Sequence, residues 1–231
     1  MFPQPCACKP RLQAAFRRKQ CPEYSVRSSL SRKSCGCIAS CLMSADQLQA
    51  LEDRAYACWE LGEFLEAAEL FFAAGRLESE LASARGPFAK ADQSILQRAR
   101  GAYCLWDAGE FERARPILCE VTLFDWQKGR LWADRHDSEK AYSRLILEAA
   151  ASGNEDLFSE LWVAASARGR ELAYPFPTIV PEQKKLLAAA LALGRKDVCR
   201  DILANLNAKL LAKHHDLQLL KAQAEALCSE A

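Results

Sequence analysis

Residues 56–67 read Tyr56-Ala-Cys-Trp59-Glu60-Leu-Gly62-Glu63-Phe64-Leu-Glu-Ala67, and residues 103–114 read Tyr103-Cys-Leu-Trp106-Asp107-Ala-Gly109-Glu110-Phe111-Glu-Arg-Ala114. Six of the twelve positions are identical and a seventh exchanges Glu60 for Asp107, so the chain carries an internal duplication. Around the first copy, the apolar residues before the glycine (Leu48, Leu51, Ala55, Cys58) and after it (Phe64, Ala67, Ala68, Phe71, Ala74) recur with helical spacing. Each copy therefore predicts a helix, a tight turn and a second helix. Gly62 and Gly109 permit the left-handed backbone that ends the first helix, and Phe64 and Phe111 are expected to plug the apex of the pair. Small residues (Ala55, Ala67, Ala74, Ala102, Ala114) let the backbones approach, and Leu51, Phe71 and Leu118 fill what remains.

Weaker copies follow. Ala141 to Ala151 predicts a helix that stops at Gly153, with Asn154 as the N-cap of a second helix carrying Leu157, Phe158, Leu161 and Trp162. Pro181 to Leu193, Gly194, and then Lys196 to about Leu211 repeat the plan with proline at a helix start. The turn glycines at 62, 109, 153 and 194 are separated by 47, 44 and 41 residues. A final helix, about Leu217 to Cys228, closes the stack. The expected architecture is an all-α, right-handed α-solenoid of about four antiparallel hairpins with a C-terminal closing helix. Two irregularities are expected: a separate short helix over Arg76 to Ala84, broken at Gly86-Pro87, and a bend or shifted start at Pro116.

The composition agrees with a packed domain. Of 231 residues, 50% are hydrophobic, and 31 Lys and Arg nearly balance 30 Asp and Glu, which excludes collagen-like and disordered classes. The longest uninterrupted apolar run is Leu186 to Leu193, far short of the roughly 20 residues a membrane-crossing helix requires. No membrane span is expected. The charge is unevenly spread: residues 1–42 hold eight basic residues (Lys9, Arg11, Arg17, Arg18, Lys19, Arg27, Arg32, Lys33) against Glu23 alone, leaving 23 basic and 29 acidic residues in 43–231. A mildly acidic body argues against nucleic acid as the partner, because phosphate contacts require clustered Lys and Arg.

Residues 1–42 also hold six of the eleven cysteines, among Pro, Ser and Arg, without helical or alternating period. The close pairs Cys6/Cys8 and Cys35/Cys37 are C-x-C, not the C-x2-C that turns a chain around zinc. No metal or other cofactor is expected. The Arg-rich, Ser-rich, acid-poor composition also suits an organelle targeting peptide. Met43-Ser-Ala-Asp-Gln, directly before the first periodic helix, has the form of a natural start. The domains expected are thus a disordered or spurious leader, 1–42, and a helical repeat domain, 43–231. Cys58, Cys104, Cys119, Cys199 and Cys228 fall singly on predicted helices and read as small buried hydrophobes in a reducing, cytoplasmic setting.

The two front hairpins resemble tetratricopeptide repeats. Ala55, Gly62, Phe64, Ala67, Phe71 and Ala74 match the pattern of that family, as do Ala102, Gly109, Phe111, Ala114 and, more loosely, Leu118; the later hairpins match in Gly153, Gly194 and periodicity. The spacing exceeds the 34 residues of that family. The resemblance implies that the first helix of each pair lines a concave surface where a partner segment lies. Tyr56, Trp59 and Glu60, then Tyr103, Trp106 and Asp107, each at i, i+3 and i+4, would supply an aromatic and acidic groove for a basic protein segment. The same Tyr and Trp could instead pack against the neighbouring hairpin.

Trp126 and Trp132, in the aromatic and charged connection before the third hairpin, are further candidate partner contacts, and Asp137 is expected to N-cap the helix that follows. Tyr174-Pro-Phe176-Pro-Thr-Ile-Val-Pro181 reads as a rigid crossing. Catalysis is not expected: there are three histidines, His214 and His215 point about 100° apart on a helix, and no P-loop, G-x-G-x-x-G or G-x-S-x-G occurs. The function expected is therefore a protein–protein interaction module. An alternative is an immunity-type inhibitor that neutralises a basic toxin by charge complementarity.

Overall fold

The computed structural model describes residues 35–85, 94–124, 132–171 and 175–229. Every regular element among them is helical: α1 Cys35–Glu60, α2 Phe64–Arg85, α3 Ser94–Asp107, α4 Phe111–Leu123, α5 Trp132–Ala151, α6 Glu155–Glu171, α7 Val180–Ala192, α8 Lys196–Ala204, α9 Ala208–Leu211 and α10 His215–Ser229. The expected all-α fold is observed. α1 packs on α2, α2 on α3, α3 on α4, α4 on α5 and α5 on α6; α5 also meets α3 and α7, while α10 lies on α7 and α8.

Four helix–turn–helix connections share one local design. Gly62, Gly109, Gly153 and Gly194 have φ of 81°, 82°, 68° and 65°, a left-handed conformation costly for any residue with a Cβ. At the first, the Gly62 amide donates to the Trp59 carbonyl (3.1 Å) and the Glu63 amide to the Cys58 carbonyl (2.8 Å). The same two bonds recur from Gly109 and Glu110, Gly153 and Asn154, and Gly194 and Arg195, satisfying carbonyls that a helix end otherwise orphans. Asn154 Oδ1 then accepts the Leu157 amide at 3.1 Å, the expected N-cap of α6.

The residues read as close-approach positions are all sealed: Ala55, Ala67, Ala74, Ala102 and Ala114 are buried, with Phe71 and Leu118 beside them. A second close approach is at Gly101, where a Cβ would stand 2.5 Å from the Phe72 ring. One apolar cluster runs through α1 to α5, including Ala141 and Leu145. The other runs from α5 to α10, and includes Tyr142, Ile146 and Ala149. Adjacent residues of α5 thus serve different clusters.

Several local expectations are corrected. Arg76 to Ala84 is not a separate helix but the continuation of α2, which reaches Arg85 without interruption. Pro116 is accommodated inside α4, which still starts at Phe111. Phe111 does not plug an apex: it is 42% exposed and stands edge-on to Trp106, centroids 4.8 Å apart. The long helix expected from Lys196 ends at Ala204, because the polar step Asn205-Leu206-Asn207 ends one helix and starts the next. Asn205 Nδ2 donates back to the Asp201 carbonyl, and Asn207 Oδ1 accepts the Lys209 amide. At the front, α1 begins at Cys35 and passes through Met43; the remainder of the leader, 1–34, lies outside the described residues.

Candidate functional site

The two sequence-predicted trios sit on α1 and α3, one turn before their glycines, yet the fold treats them differently. Tyr56 is 39% exposed. Its ring stacks on Trp59 (6.4 Å, 12°), and Phe71 of α2 backs both rings edge-on at 5.2 and 6.0 Å. Arg100 of α3 lies 5.5 Å from the Tyr56 ring centroid, a cation–π arrangement. Glu60 is exposed at the end of α1. Trp59 is half-buried and donates its indole N–H to Asp107 Oδ2 at 3.2 Å.

Tyr103 is corrected from a partner contact to a core residue. Only 1% of it is exposed, and its helix α3 packs against α5. Its hydroxyl donates to the Asp137 carbonyl (2.7 Å), and Arg144 covers its ring at 4.3 Å. Burial, then the nearby Asp137 charge, raises the phenol well above its ordinary range, so it remains a donor. Asp107 stays exposed: it accepts the Trp59 indole N–H and has Arg144 at 3.8 Å. Trp106 is half-buried against Phe111. The six predicted residues therefore form one half-exposed aromatic and acidic patch around Tyr56, Trp59 and Glu60 and one packed joint around Tyr103, with the exposed Asp107 tied to Trp59 between them.

Removing only the Tyr103 hydroxyl tests that joint. Tyr103→Phe is expected to lower stability by about 1 kcal/mol, read as a lower urea midpoint with unchanged slope. An unchanged midpoint would take the hydroxyl out of the packing account.

Trp126 lies outside the described residues, and Trp132 opens α5 without a described side chain. Asp137 is not an N-cap, since α5 starts five residues earlier and buries Asp137 in its second turn. The cap that the sequence did not reveal is Glu139, which reaches from α5 to the start of α7. Its Oε1 accepts the Thr178 and Ile179 amides (2.7 and 2.6 Å), and its Oε2 accepts the Thr178 hydroxyl (2.6 Å). No local pattern announces a cap whose partner is 39 residues away. Phe176 of the Pro-spaced crossing is buried between Tyr142 and Trp162, which fits a structural crossing. Arg144 and Arg100 were also missed; the repeated Tyr-then-Arg spacing, 44 and 41 residues, is the available signal.

Cys104 and Cys199 are set against nucleophilic use. Burial, with Asp107 nearby, pushes Cys104 up to about 12, and burial pushes Cys199 up to about 11, the reverse of an activated cysteine. Cys58, Glu63 and Glu66 bring one ligand atom each within 4.8 Å of one another. Burial and those carboxylates raise the Cys58 thiol above its ordinary value. No helix among the described residues is long and apolar enough to cross a membrane. Comparison with known proteins returns no match: no family model fits the chain, and no curated protein or solved structure is significantly similar to it.

Proposed function

We propose that this chain is a cytoplasmic protein–protein interaction module, a tetratricopeptide-like, right-handed solenoid of four hairpins closed by α10. It binds a basic segment of another protein through Tyr56, Trp59 and Glu60, with Trp106 at the margin. The observation that carries this reading is the half-exposed Tyr56–Trp59 stack, held from behind by Phe71 and ending beside the exposed Glu60. Such a platform offers rigid aromatic area at low entropy cost, and a carboxylate orients a Lys or Arg laid across it. The two rings are already held by their contacts with Phe71 and with each other, so little rearrangement of them is needed on binding.

The test uses the full chain against a displayed peptide library. Selected peptides should be rich in Lys and Arg, and Tyr56→Ala with Glu60→Lys should weaken their binding at least tenfold in calorimetry, about 1.4 kcal/mol. Both positions are exposed, so the helical circular dichroism should persist. Acidic or uncharged peptides bound equally well by both proteins would overturn the reading.

A further inference from the structure

A different surface lies at the edge where the first turn meets the end of α3. Gly62, Glu63, Phe64, Leu65, Glu66 and Ala108 line an open cleft of about 350 Å³. Large apolar side chains are left in solvent there: Leu65 is 49% exposed and Leu61, next to the turn, 75%. Neither position is needed for the turn itself, which is made by Gly62 and two backbone bonds. The rim is acidic. Glu60, Glu63 and Glu66 are exposed at the first turn and Glu110 at the second; Glu66 has one distant, exposed ion-pair partner, Arg54 at 3.8 Å. An apolar floor ringed by carboxylates favours a segment that offers an apolar side chain flanked by positive charge.

The chain contains such a segment. Residues 1–34 carry eight basic residues and one acidic one, and within them Leu12 and Phe16 are flanked by Arg11, Arg17, Arg18 and Lys19. The leader joins α1 at Cys35, whereas the cleft lies at the other end of that helix, a distance of about 39 Å at 1.5 Å per residue. The stretch from Arg17 to Ser34 spans up to about 60 Å when extended, so Phe16 can reach the cleft. Tethering makes the contact intramolecular, so an affinity too weak to hold a free peptide still fills the site. We propose that the first-turn edge is the docking site of the chain's own basic leader, with Phe16 or Leu12 seated in the cleft and the adjoining Arg and Lys side chains paired with Glu63, Glu66 and Glu110.

A zero-length carbodiimide, which joins Lys amines to carboxylates in direct contact, tests this on the full chain, read by mass spectrometry. The expected result is Lys9 or Lys19 joined to Glu63, Glu66 or Glu110 within one molecule; Lys33, tied to the far end of α1, should not couple to them. Leu61→Ser with Leu65→Ser should cut that yield at least fivefold while leaving the helical circular dichroism unchanged. Lys9 and Lys19 coupling to other acids, coupling equally in the double variant, giving no such product, or coupling only between isotopically distinct chains would overturn the proposal. It does not rest on the Tyr56 surface: Tyr56→Ala, which leaves the acidic rim intact, should leave these cross-links in place.

Discussion

Phe71→Ala is expected to destabilise the protein by about 3 to 5 kcal/mol, a large share of the roughly 5 to 15 kcal/mol that holds a typical domain together. Phe71 has no exposed surface, and it belongs to the cluster that includes Ala55, Ala67 and Tyr103. The small residues around it are alanines already in close contact, so little is available to move into the space. The two rings it supports, Tyr56 and Trp59, would lose their edge-on backing. The measurement is a urea titration followed by tryptophan fluorescence. Leu61→Ala is the control: at 75% exposure it should shift stability by no more than about 0.5 kcal/mol. A Phe71→Ala loss below about 1 kcal/mol would mean that the first two hairpins do not share a sealed core.

Glu139→Ala should cost about 3 kcal/mol, because it strands two amides and a hydroxyl that the carboxylate now satisfies. The N-cap residue of α7, Ile179, has no side-chain acceptor of its own. A carboxylate from α5 takes that place and puts negative charge at the positive end of the helix. Its pH dependence has an unusual sign. Burial raises the Glu139 carboxyl above its ordinary 4.5 despite the opposing hydrogen bonds, with Glu182 adding to the rise. In the interval above 4.5 the folded state therefore binds the proton more readily than the unfolded state, and the contribution of this group grows as pH falls. Relative to Glu139→Gln, the wild type should gain stability on acidification from neutrality toward 4.5. A difference that stays constant over that range would exclude burial as the cause.

What the sequence announced was local. Gly62, Gly109, Gly153 and Gly194 stand where a left-handed residue ends a helix, and Asn154 caps as its side chain suggests. The features it concealed depend on neighbours. Tyr56 and Tyr103 occupy the same repeat position and each has an arginine of the next hairpin over its ring, but only Tyr103 reaches a backbone carbonyl of that hairpin and is enclosed, while Tyr56 meets solvent. Trp59 shows the same limit: its helical stripe was legible, but the Asp107 carboxylate that receives its N–H is 48 residues away. Polar runs misled in two directions. The charges around Asp137 resembled a helix start although α5 was already under way, and the step at Asn205 and Asn207 broke a helix that periodicity had continued.

The double duty of α5 limits how this chain can be shortened or lengthened. Ala141 and Leu145 belong to the forward cluster, and Tyr142, Ile146 and Ala149 to the rear one, so the helix is a wall with a furnished room on each side. In an ordinary repeat array, units can be added or removed because each touches only the next. Here a truncation at either border of α5 would leave one of its faces wet, and neither half can be lifted out as an intact module.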